Sequence, residues 1–269
     1  MSGSLPSILL VGCGRMGSAM LAAWLERGLQ ACLVVDPAAR RPSAGAGTAQ
    51  FLADASAVPL TFEPAAVVFA VKPQQAADVL PRFSRFAGQA VFLSIMAGRT
   101  LGGMRSALGE AAAIVRAMPN TPASIRAGTT VACAGPGVDA AKRQLCEALL
   151  TAVGKVAWVT DEALLDPVTA VSGSGPAYVF LLAELLEHAG IQQGLPADLA
   201  RLLARRTLSG AGALLEASPE DAAALRAAVT SPGGTTERAL SILMAEDAWP
   251  AAVSAAIAAA TQRSRELAS

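Results

Sequence analysis

Residues 8–17 decide the fold of this chain: they read Ile-Leu-Leu-Val-Gly-Cys-Gly-Arg-Met-Gly. Four apolar, β-favouring residues lead into Gly-x-Gly-x-x-Gly, and a helical pattern follows over 18–27. In such a strand–turn–helix unit Gly12 allows the tight turn, Gly14 lets a pyrophosphate approach the backbone, and Gly17 lets helix and strand pack closely. The stretch therefore predicts the first unit of a dinucleotide-binding sheet, with the phosphates at the helix N-terminus.

A second apolar run, 31–35, ends in Asp36, which lies 24 positions after Gly12. At this spacing a carboxylate accepts hydrogen bonds from the adenosine ribose of a dinucleotide. It would repel the 2′-phosphate of NADPH, whereas Arg40 and Arg41 could bind that phosphate or lie as solvated surface charges. The sequence leaves both NADH and NADPH open, and a glycine-rich turn without a ligand remains the alternative.

Strand-like runs recur further along the chain, with helical or loop segments between them, at 67–71, 90–95, 113–118, 128–134 and 155–159. This alternation is typical of a mainly parallel, doubly wound sheet, whose ligands lie beyond the C-terminal ends of the strands. After about Thr160 every segment has a helical pattern. The predicted fold class is α/β: a doubly wound Rossmann-type dinucleotide-binding domain over 1–160, followed by an all-α domain over 161–269.

Composition and charge exclude several classes of protein. Lysine plus arginine (21) balances aspartate plus glutamate (21), so no net field attracts nucleic acid or an acidic membrane surface. The four cysteines are scattered and His188 is the only histidine, which disfavours both a metal site and a disulfide framework. The N-terminus has no signal-peptide pattern, and apolar stretches of spanning length contain helix breakers. We expect a soluble, cytoplasmic protein with no metal, nucleic-acid or membrane partner.

The C-terminal helices are apolar on more than one face over 199–215 and 251–260. Helices of this kind must be covered, and a second copy of a small helical domain covers them most easily. We therefore predict a homodimer built through the helical domain.

The helical domain offers few groups for proton transfer. His188 lies in an apolar helix, Tyr178 is the only tyrosine, and no lysine follows Lys155. Oxidation of an alcohol needs a base, so a two-domain hydroxyacid dehydrogenase is disfavoured. A protonated carbon–nitrogen double bond accepts hydride with only positioning groups around it, so the sequence favours reduction of an imine.

Residues 230–236, Thr-Ser-Pro-Gly-Gly-Thr-Thr, offer a means of holding such a substrate. Pro232 fixes its own φ, the two glycines allow positive φ, and the following backbone N–H groups are expected to point outward, unpaired, towards a carboxylate. Thr236 would bond the ring nitrogen of a cyclic imine. Taken alone, an ordinary loop with a helix N-cap is the simpler interpretation.

Six motifs in order carry a family resemblance: Gly12-x-Gly14-x-Met16-Gly17; Ala70-Val71-Lys72-Pro73; Ser94-Ile95-Met96-Ala97-Gly98; Arg116-x-Met118-Pro119-Asn120-Thr121-Pro122; Asp166-x-Val168-Thr169-Ala170-x-Ser172-Gly173-Ser174-Gly175-Pro176-Ala177-Tyr178; and Ser231-Pro232-Gly233-Gly234-Thr235-Thr236. Over nearly its whole length the chain resembles the pyrroline-5-carboxylate reductases, the last enzymes of proline biosynthesis. The resemblance implies hydride transfer from NAD(P)H to 1-pyrroline-5-carboxylate, giving L-proline.

The resemblance also implies roles for individual residues. The cofactor would be bound by the glycine loop and three later segments. Asp36 and Arg40 are candidates for the ribose end because of their position after the second strand. The full set is Gly12, Cys13, Gly14, Arg15, Met16, Gly17, Asp36, Arg40, Ala70, Val71, Lys72, Pro73, Ile95, Met96, Ala97 and Asn120. The substrate would be bound by Glu162, Ser231, Gly233, Gly234, Thr235 and Thr236, of which Thr236 is the catalytic candidate. In this family the substrate pocket is completed across a dimer, and dimers often join into larger rings.

Three departures from the family pattern bear on these expectations. The family favours NADPH and commonly has Asn or Ser followed by Arg where Asp36-Pro37 stands, so Asp36 raises the odds of NADH use. The usual second-strand arginine is displaced to Arg40 and Arg41, and the usual acidic and polar residues before the glycine turn are Ala227 and Ala228. The alternatives are a reductase of a related cyclic imine and a non-catalytic dinucleotide-binding regulator.

Overall fold

A computed structural model describes residues 5–38 and 49–268. Within them one eight-stranded sheet has the order β3-β2-β1-β4-β5-β6-β7-β8, and its neighbouring strands run parallel except for the antiparallel β6–β7 pair. The strands are β1 (Ile8–Val11), β2 (Cys32–Val35), β3 (Ala49–Leu52), β4 (Ala66–Phe69), β5 (Val91–Ser94), β6 (Ala113–Met118), β7 (Gly128–Ala134) and β8 (Gly154–Val159). The predicted doubly wound, mainly parallel sheet is confirmed, and β3 is a strand that the sequence did not predict.

The central strands are covered on both faces. Every residue of β1, β2, β4 and β5 is buried, as expected of parallel strands that lie between two layers of helices. Alternate side chains of one strand enter different cores: Leu10 packs in one, and Leu9 with Val11 in the other. The first core includes Trp24, whose Nε1 donates to the carbonyl oxygen of Leu149 at 2.8 Å.

Ten α-helices are present in the described residues: α1 (Arg15–Glu26), α2 (Ala76–Val79), α3 (Leu101–Leu108), α4 (Ala140–Thr151), α5 (Leu165–Val168), α6 (Gly175–Gln192), α7 (Ala197–Ala217), α8 (Ala222–Ala228), α9 (Thr235–Leu243) and α10 (Trp249–Ala268). Short 3₁₀ segments join several of them, and residues 169–173 form a π-helical turn. Helices α1 and α4 contribute to one core, while α3 and the 3₁₀ segment Leu80–Phe86 contribute to the other.

The chain divides into two compact units, one of residues 1–173 with 260–269 and the other of residues 174–259. The boundary at 160 expected from the end of the strand signals therefore lies thirteen residues earlier than the boundary between these units. The reason is packing: Leu165 and Ala170 are fully buried, and α5 contacts β6 and β7. Asp166 Oδ1 also accepts a hydrogen bond from Ser264 Oγ at 2.7 Å, which ties the end of α10 into the first unit.

The second unit, residues 174–259, is entirely helical where it forms regular structure, with α6 packed against α7. Within it only Ala200 and Ala204 are buried in the single chain. Large apolar side chains of α6, α7 and α10 are exposed instead. The stretch Glu162–Gln192, with a mean hydropathy of 1.3, is long and apolar enough to cross a membrane by length and composition alone.

Candidate active site

The three glycines of the first turn differ in what surrounds them. Gly12 has φ +92°, and a Cβ there would stand 2.8 Å from the backbone of Ala70. A Cβ on Gly17 would collide with the carbonyl oxygen of Gly12, whereas a Cβ on Gly14 would meet no atom within 4 Å. Packing therefore requires the first and third glycines, and the second leaves open space at the start of α1, where a ligand can approach the backbone.

A cleft of about 450 Å³ opens at this turn. It lies at the C-terminal ends of β2, β1 and β4, where the strand order reverses direction along the sheet and where such folds bind ligands. The residues lining it include Gly12, Gly14, Asp36, Ala70, Val71 and Lys72. These residues, predicted from three separate stretches of the sequence, are brought together here. The open backbone at Gly14 fits the pyrophosphate of a dinucleotide.

Asp36 is fixed at the end of β2 by two backbone donors. Its Oδ2 accepts from the Cys13 N–H at 2.6 Å, and its Oδ1 accepts from the Ala38 N–H at 2.8 Å. Burial, together with the negative charge of Asp36, raises the pKa of the Cys13 thiol. Cys13 is therefore a neutral thiol at physiological pH and contributes its backbone to the loop.

The same cleft holds a carboxylate and a cation that sequence reasoning missed. Arg82 Nη1 lies 3.0 Å from Asp54 Oδ2, and Arg82 Nε donates to the carbonyl oxygen of Asp78 at 3.1 Å. No motif contains them, since Asp54 follows the unpredicted β3. Arg40, the predicted alternative partner of the ribose, lies outside the described residues, as does Arg41.

A second pocket, of about 280 Å³, adjoins Ala70 and Val71. It brings the predicted residues Met16, Ile95 and Asn120 together with them. Asn120 Oδ1 accepts from the Thr129 N–H at 2.9 Å, and its Nδ2 donates to Ser172 Oγ at 3.3 Å, so its side chain is held in place. This pocket is suited to the nicotinamide half of the cofactor.

Met118, Pro119, Thr121 and Gly173 also line this second pocket. They stand in the motifs that carried the family resemblance but were given no role from the sequence. A Cβ on Gly173 would lie 2.6 Å from Met118 Cε, so a larger residue there would displace the end of the Met118 side chain.

The side chain of Met96, a predicted cofactor contact, does not line either pocket. Its side chain is 2% exposed and belongs to the core that α3 covers, whereas Ile95 lines the pocket. Neighbouring residues at the end of a strand point to opposite faces, so the two side chains cannot both face the ligand.

Ala97 is half-buried, and Arg15 is exposed beside Gly14. Pro73 carries its carbonyl oxygen 2.9 Å from Arg99 Nε, which holds the segment after β4.

Glu162 has a structural role in the first unit. Its Oε1 accepts from Arg116 Nη1 at 2.7 Å and from the Leu101 N–H at 2.8 Å, and Arg116 is only 5% exposed. The substrate contact that the resemblance implied would therefore have to be made by an oxygen of a carboxylate already bound to two donors.

The turn at Ser231–Thr236 is closed by its own backbone. Gly233 has φ +70° after Pro232, and the Gly234 N–H donates to the Ser231 carbonyl oxygen at 3.0 Å. Pro at the second position and a glycine with positive φ at the third are the residues that a type II turn requires. A Cβ on Gly234 would lie 2.5 Å from Ser231 Oγ.

The expectation that the backbone N–H groups of this turn point outward, unpaired, is wrong for Gly234, and the Gly233 N–H is paired as well. The Gly233 N–H donates to Glu237 Oε2 at 2.7 Å, because a glutamate in the first turn of a helix can reach back to the residues before it. The Gly234 N–H is used in the turn itself. Within the described part of the chain the Ser231 and Thr236 hydroxyls, and the N–H groups of Thr235 and Thr236 at the start of α9, make no hydrogen bond.

The described residues contain no group of three or more His, Cys, Asp or Glu side chains placed to hold a metal ion. The four cysteines are free thiols, and burial raises the pKa of Cys32 and of Cys146 to about 12.

Comparisons with known proteins agree with this architecture. Residues 162–267 match the family described as pyrroline-5-carboxylate reductase dimerisation, and residues 7–98 match the family described as NADP oxidoreductase, coenzyme F420-dependent. The chain is 37% identical over 268 residues to a pyrroline-5-carboxylate reductase of Pseudomonas aeruginosa, and the match covers 98% of each chain.

Two solved structures are similar over nearly the whole chain. A pyrroline-5-carboxylate reductase from Coxiella burnetii has a TM-score of 0.88 and 33% identity, with 97% of this chain and 98% of that chain covered. A pyrroline carboxylate reductase from Plasmodium falciparum, solved with NADP bound, has a TM-score of 0.85 and 26% identity, with 98% of each chain covered.

Proposed function

The chain belongs to the pyrroline-5-carboxylate reductase family, and on this premise we propose that it reduces the C=N bond of 1-pyrroline-5-carboxylate to give L-proline, the last step of proline biosynthesis. The observation that carries the proposal is the Ser231–Thr236 turn, where two hydroxyls and two backbone N–H groups make no hydrogen bond within the described residues. Such a group of donors suits a carboxylate beside a polar nitrogen.

NADH or NADPH, when bound, supplies the hydride. The residues that would hold it are Gly12, Gly14 and the start of α1 at the pyrophosphate, and Met16, Ile95 and Asn120 at the nicotinamide. The fit is supported by the open space at Gly14 and by the two adjoining pockets of the first unit. Ile95 and Met16 would exclude water from one side of the nicotinamide.

The substrate carboxylate would be held by the Ser231 hydroxyl and by the N–H groups of Thr235 and Thr236. Gly233 and Gly234 would act by shape, since their own N–H groups are used inside the turn. The Thr236 hydroxyl would accept a hydrogen bond from the protonated ring nitrogen, so the imine proton comes from solvent and no side chain acts as a base. Catalysis would then rest on orientation of the imine carbon.

Thr236→Ala tests this assignment, with Thr235→Ala as the matched control. Thr235 is expected to act through its backbone N–H, which alanine keeps, so its variant should retain kcat/KM within about threefold. Loss of a hydrogen bond to a charged group costs about 1.5–3 kcal/mol, so Thr236→Ala should lower kcat/KM for the imine by about 10- to 100-fold. Equal activity of Thr236→Ala and the unsubstituted protein would remove Thr236 from the site.

The assay itself decides between the candidate activities. Oxidation of NADH and of NADPH is followed separately, with 1-pyrroline-5-carboxylate and with its six-membered homologue. Faster turnover of the larger ring would make the protein a reductase of that imine. Cofactor binding without imine-dependent oxidation would make it a regulator.

We also propose a cytoplasmic homodimer assembled through the helical unit, which could join into a ring of dimers. The family match over 162–267 supports a dimer, as does an apolar groove of about 390 Å³ lined by Tyr178, Leu181, Leu185, Trp249 and Val253 among others. A partner helix covering this groove would also explain the apolar character of α6 without a membrane.

A further inference from the structure

Resting on the proposed reaction, we propose that Asp36 makes this reductase select NADH over NADPH. Asp36 lines the cleft beside Gly12 and Gly14, at the end of β2. This is the position from which a carboxylate reaches the hydroxyls of the adenosine ribose in a dinucleotide-binding sheet.

The side chain of Asp36 is fixed in this position. Its two oxygens accept from the Cys13 N–H at 2.6 Å and the Ala38 N–H at 2.8 Å, one bond to each. Turning the carboxylate away would break both bonds and leave the Cys13 N–H, in a part-buried loop, without its partner. Each carboxylate oxygen keeps a further lone pair for a ribose hydroxyl, so the two backbone bonds do not prevent recognition of NADH.

The two cations that line the cleft in the described residues, Lys72 and Arg82, form no ion pair with Asp36. Arg82 is bound to Asp54 and to the carbonyl oxygen of Asp78. Lys72 follows β4, which is separated from β2 by β1, so its backbone starts about two strand spacings, or about 10 Å, from the end of β2 in the plane of the sheet. The ribose end of the cleft therefore presents a fixed carboxylate beside an ion pair that is already neutral.

A 2′-phosphate placed at this end would meet the Asp36 carboxylate at short range. Two like charges repel more strongly at the partly buried floor of a cleft than in bulk water, and the fixed side chain cannot relieve the repulsion. NADH has a hydroxyl at this place, which donates to the carboxylate. The same side chain thus favours one cofactor and disfavours the other.

Direct binding of the two cofactors tests the proposal without depending on turnover. The dissociation constants of NADH and NADPH are measured by fluorescence titration of the full-length protein, without imine. NADH should bind at least about tenfold more tightly than NADPH, a difference of about 1.4 kcal/mol. Asp36→Asn and Asp36→Ala should each reduce this preference by about tenfold, and thermal unfolding checks that both variants are folded.

Glu63→Gln is the matched control. Glu63 is exposed and forms no hydrogen bond or ion pair within the described residues. It precedes the N-terminal end of β4, whereas the cleft lies at the C-terminal ends of the strands. Its variant loses the same charge and should keep the preference of the unsubstituted protein.

Two results would overturn the assignment. One is an unsubstituted protein that binds NADPH as tightly as NADH; loss of NADPH affinity in the double variant Arg40→Ala and Arg41→Ala would then assign cofactor choice to these arginines. The other is a preference unchanged in both Asp36 variants. Oxidation of each cofactor with 1-pyrroline-5-carboxylate is measured in parallel: a preference for NADH without imine reduction would refute the reaction and leave the role of Asp36 standing.

Discussion

The two compact units of this chain bury their apolar residues to very different extents. In the first unit, residues 1–173 with 260–269 and called the nucleotide unit below, Trp24, Phe69 and Phe92 are fully buried, as are the central strands. In the helical unit, residues 174–259, only Ala200 and Ala204 are buried, and leucines along α6 and α7 are about half exposed. Ala, Leu and Val dominate both regions, so composition does not explain the difference.

The two units differ in what buries their apolar surface. A parallel sheet and its crossover helices cover each other within one chain, so the nucleotide unit completes its cores alone. A small set of helices that are apolar on several faces needs a second surface. The match to a reductase dimerisation family over 162–267 supports the proposal that this surface is another copy of the chain. On that proposal, folding of the helical unit and assembly of the dimer would be one event.

The largest expected effect comes from placing charge in the apolar groove of the helical unit. The double substitution Leu181→Glu with Val253→Glu replaces two side chains that are exposed in the single chain and line this groove. Two unpaired carboxylates buried against a partner would cost several kcal/mol, so the variant should be monomeric at micromolar concentration and lose more than about 99% of its activity. Light scattering after size-exclusion chromatography measures the mass.

The matched control is Leu60→Glu with Ile125→Glu in the nucleotide unit. These two side chains are 89% and 75% exposed, so the control adds the same charges at apolar surface that no partner is expected to cover. It should keep both the dimer and the activity. A dimeric, active Leu181/Val253 variant would show that the helical faces are covered by something else.

The next largest effects come from two glycines of the first turn, one of which is required for packing and the other for binding of the cofactor. Gly17→Ala puts a Cβ against the Gly12 carbonyl oxygen and should lower the free energy of unfolding by about 3 kcal/mol. Gly14→Ala meets no atom within 4 Å, at a φ of −71° that alanine adopts freely. It should keep the thermal midpoint of the unsubstituted protein and weaken NADH binding by about 100-fold, because the methyl group stands where the pyrophosphate approaches.

Thermal unfolding and NADH titration of both glycine variants provide the check. Equal thermal midpoints for the two variants would mean that the first turn does not pack as described. Unchanged NADH affinity in Gly14→Ala would place the pyrophosphate elsewhere.

The elements that were predictable from sequence are those whose signal is local. The glycine spacing predicts the first turn, and the apolar runs predict β1, β6 and β7 with the bounds that the structure has. Strand β3 has no such signal, since Ala49–Leu52 is short and becomes a strand by pairing with β2 at the edge of the sheet. The packing of residues 162–173 against the sheet was not predictable for a similar reason, because their helical pattern is the same whichever unit they pack against.

The candidate site divides in the same way. Asp36 was proposed because it follows a strand at the spacing expected of a ribose contact, and Asn120 because it stands in a motif of the family that the chain resembles; both line the pockets. The burial of the Met96 side chain was not predictable because a motif does not say which of two neighbouring side chains faces the ligand. The use of the Gly233 N–H by Glu237 was missed because a glutamate after two threonines is typical of an exposed helix start.

The smallest effect concerns the ion pair that joins residue 162 to the sheet. Glu162→Ala leaves the Arg116 guanidinium, 5% exposed, without its carboxylate, and also removes the acceptor of the Leu101 N–H. Because Glu162 itself keeps 26% of its side chain exposed, the loss should be below that of a fully buried pair, at about 2 kcal/mol of unfolding free energy. Asp54→Ala breaks the exposed pair with Arg82 and one backbone bond, and should lower the stability less than Glu162→Ala does, because solvent screens this pair.

Chemical denaturation measures the loss of stability in the Glu162→Ala and Asp54→Ala variants. Steady-state kinetics shows whether Glu162 also binds the substrate. If Glu162 only anchors the segment after β8, its variant should lose stability with a KM for the imine within about threefold of the original value, because the anchor contacts residues of the nucleotide unit alone. A KM raised more than about tenfold at unchanged stability would make Glu162 a substrate contact, as the family resemblance implies. The segment 162–173 would then belong to the nucleotide unit by packing and to the substrate site by function.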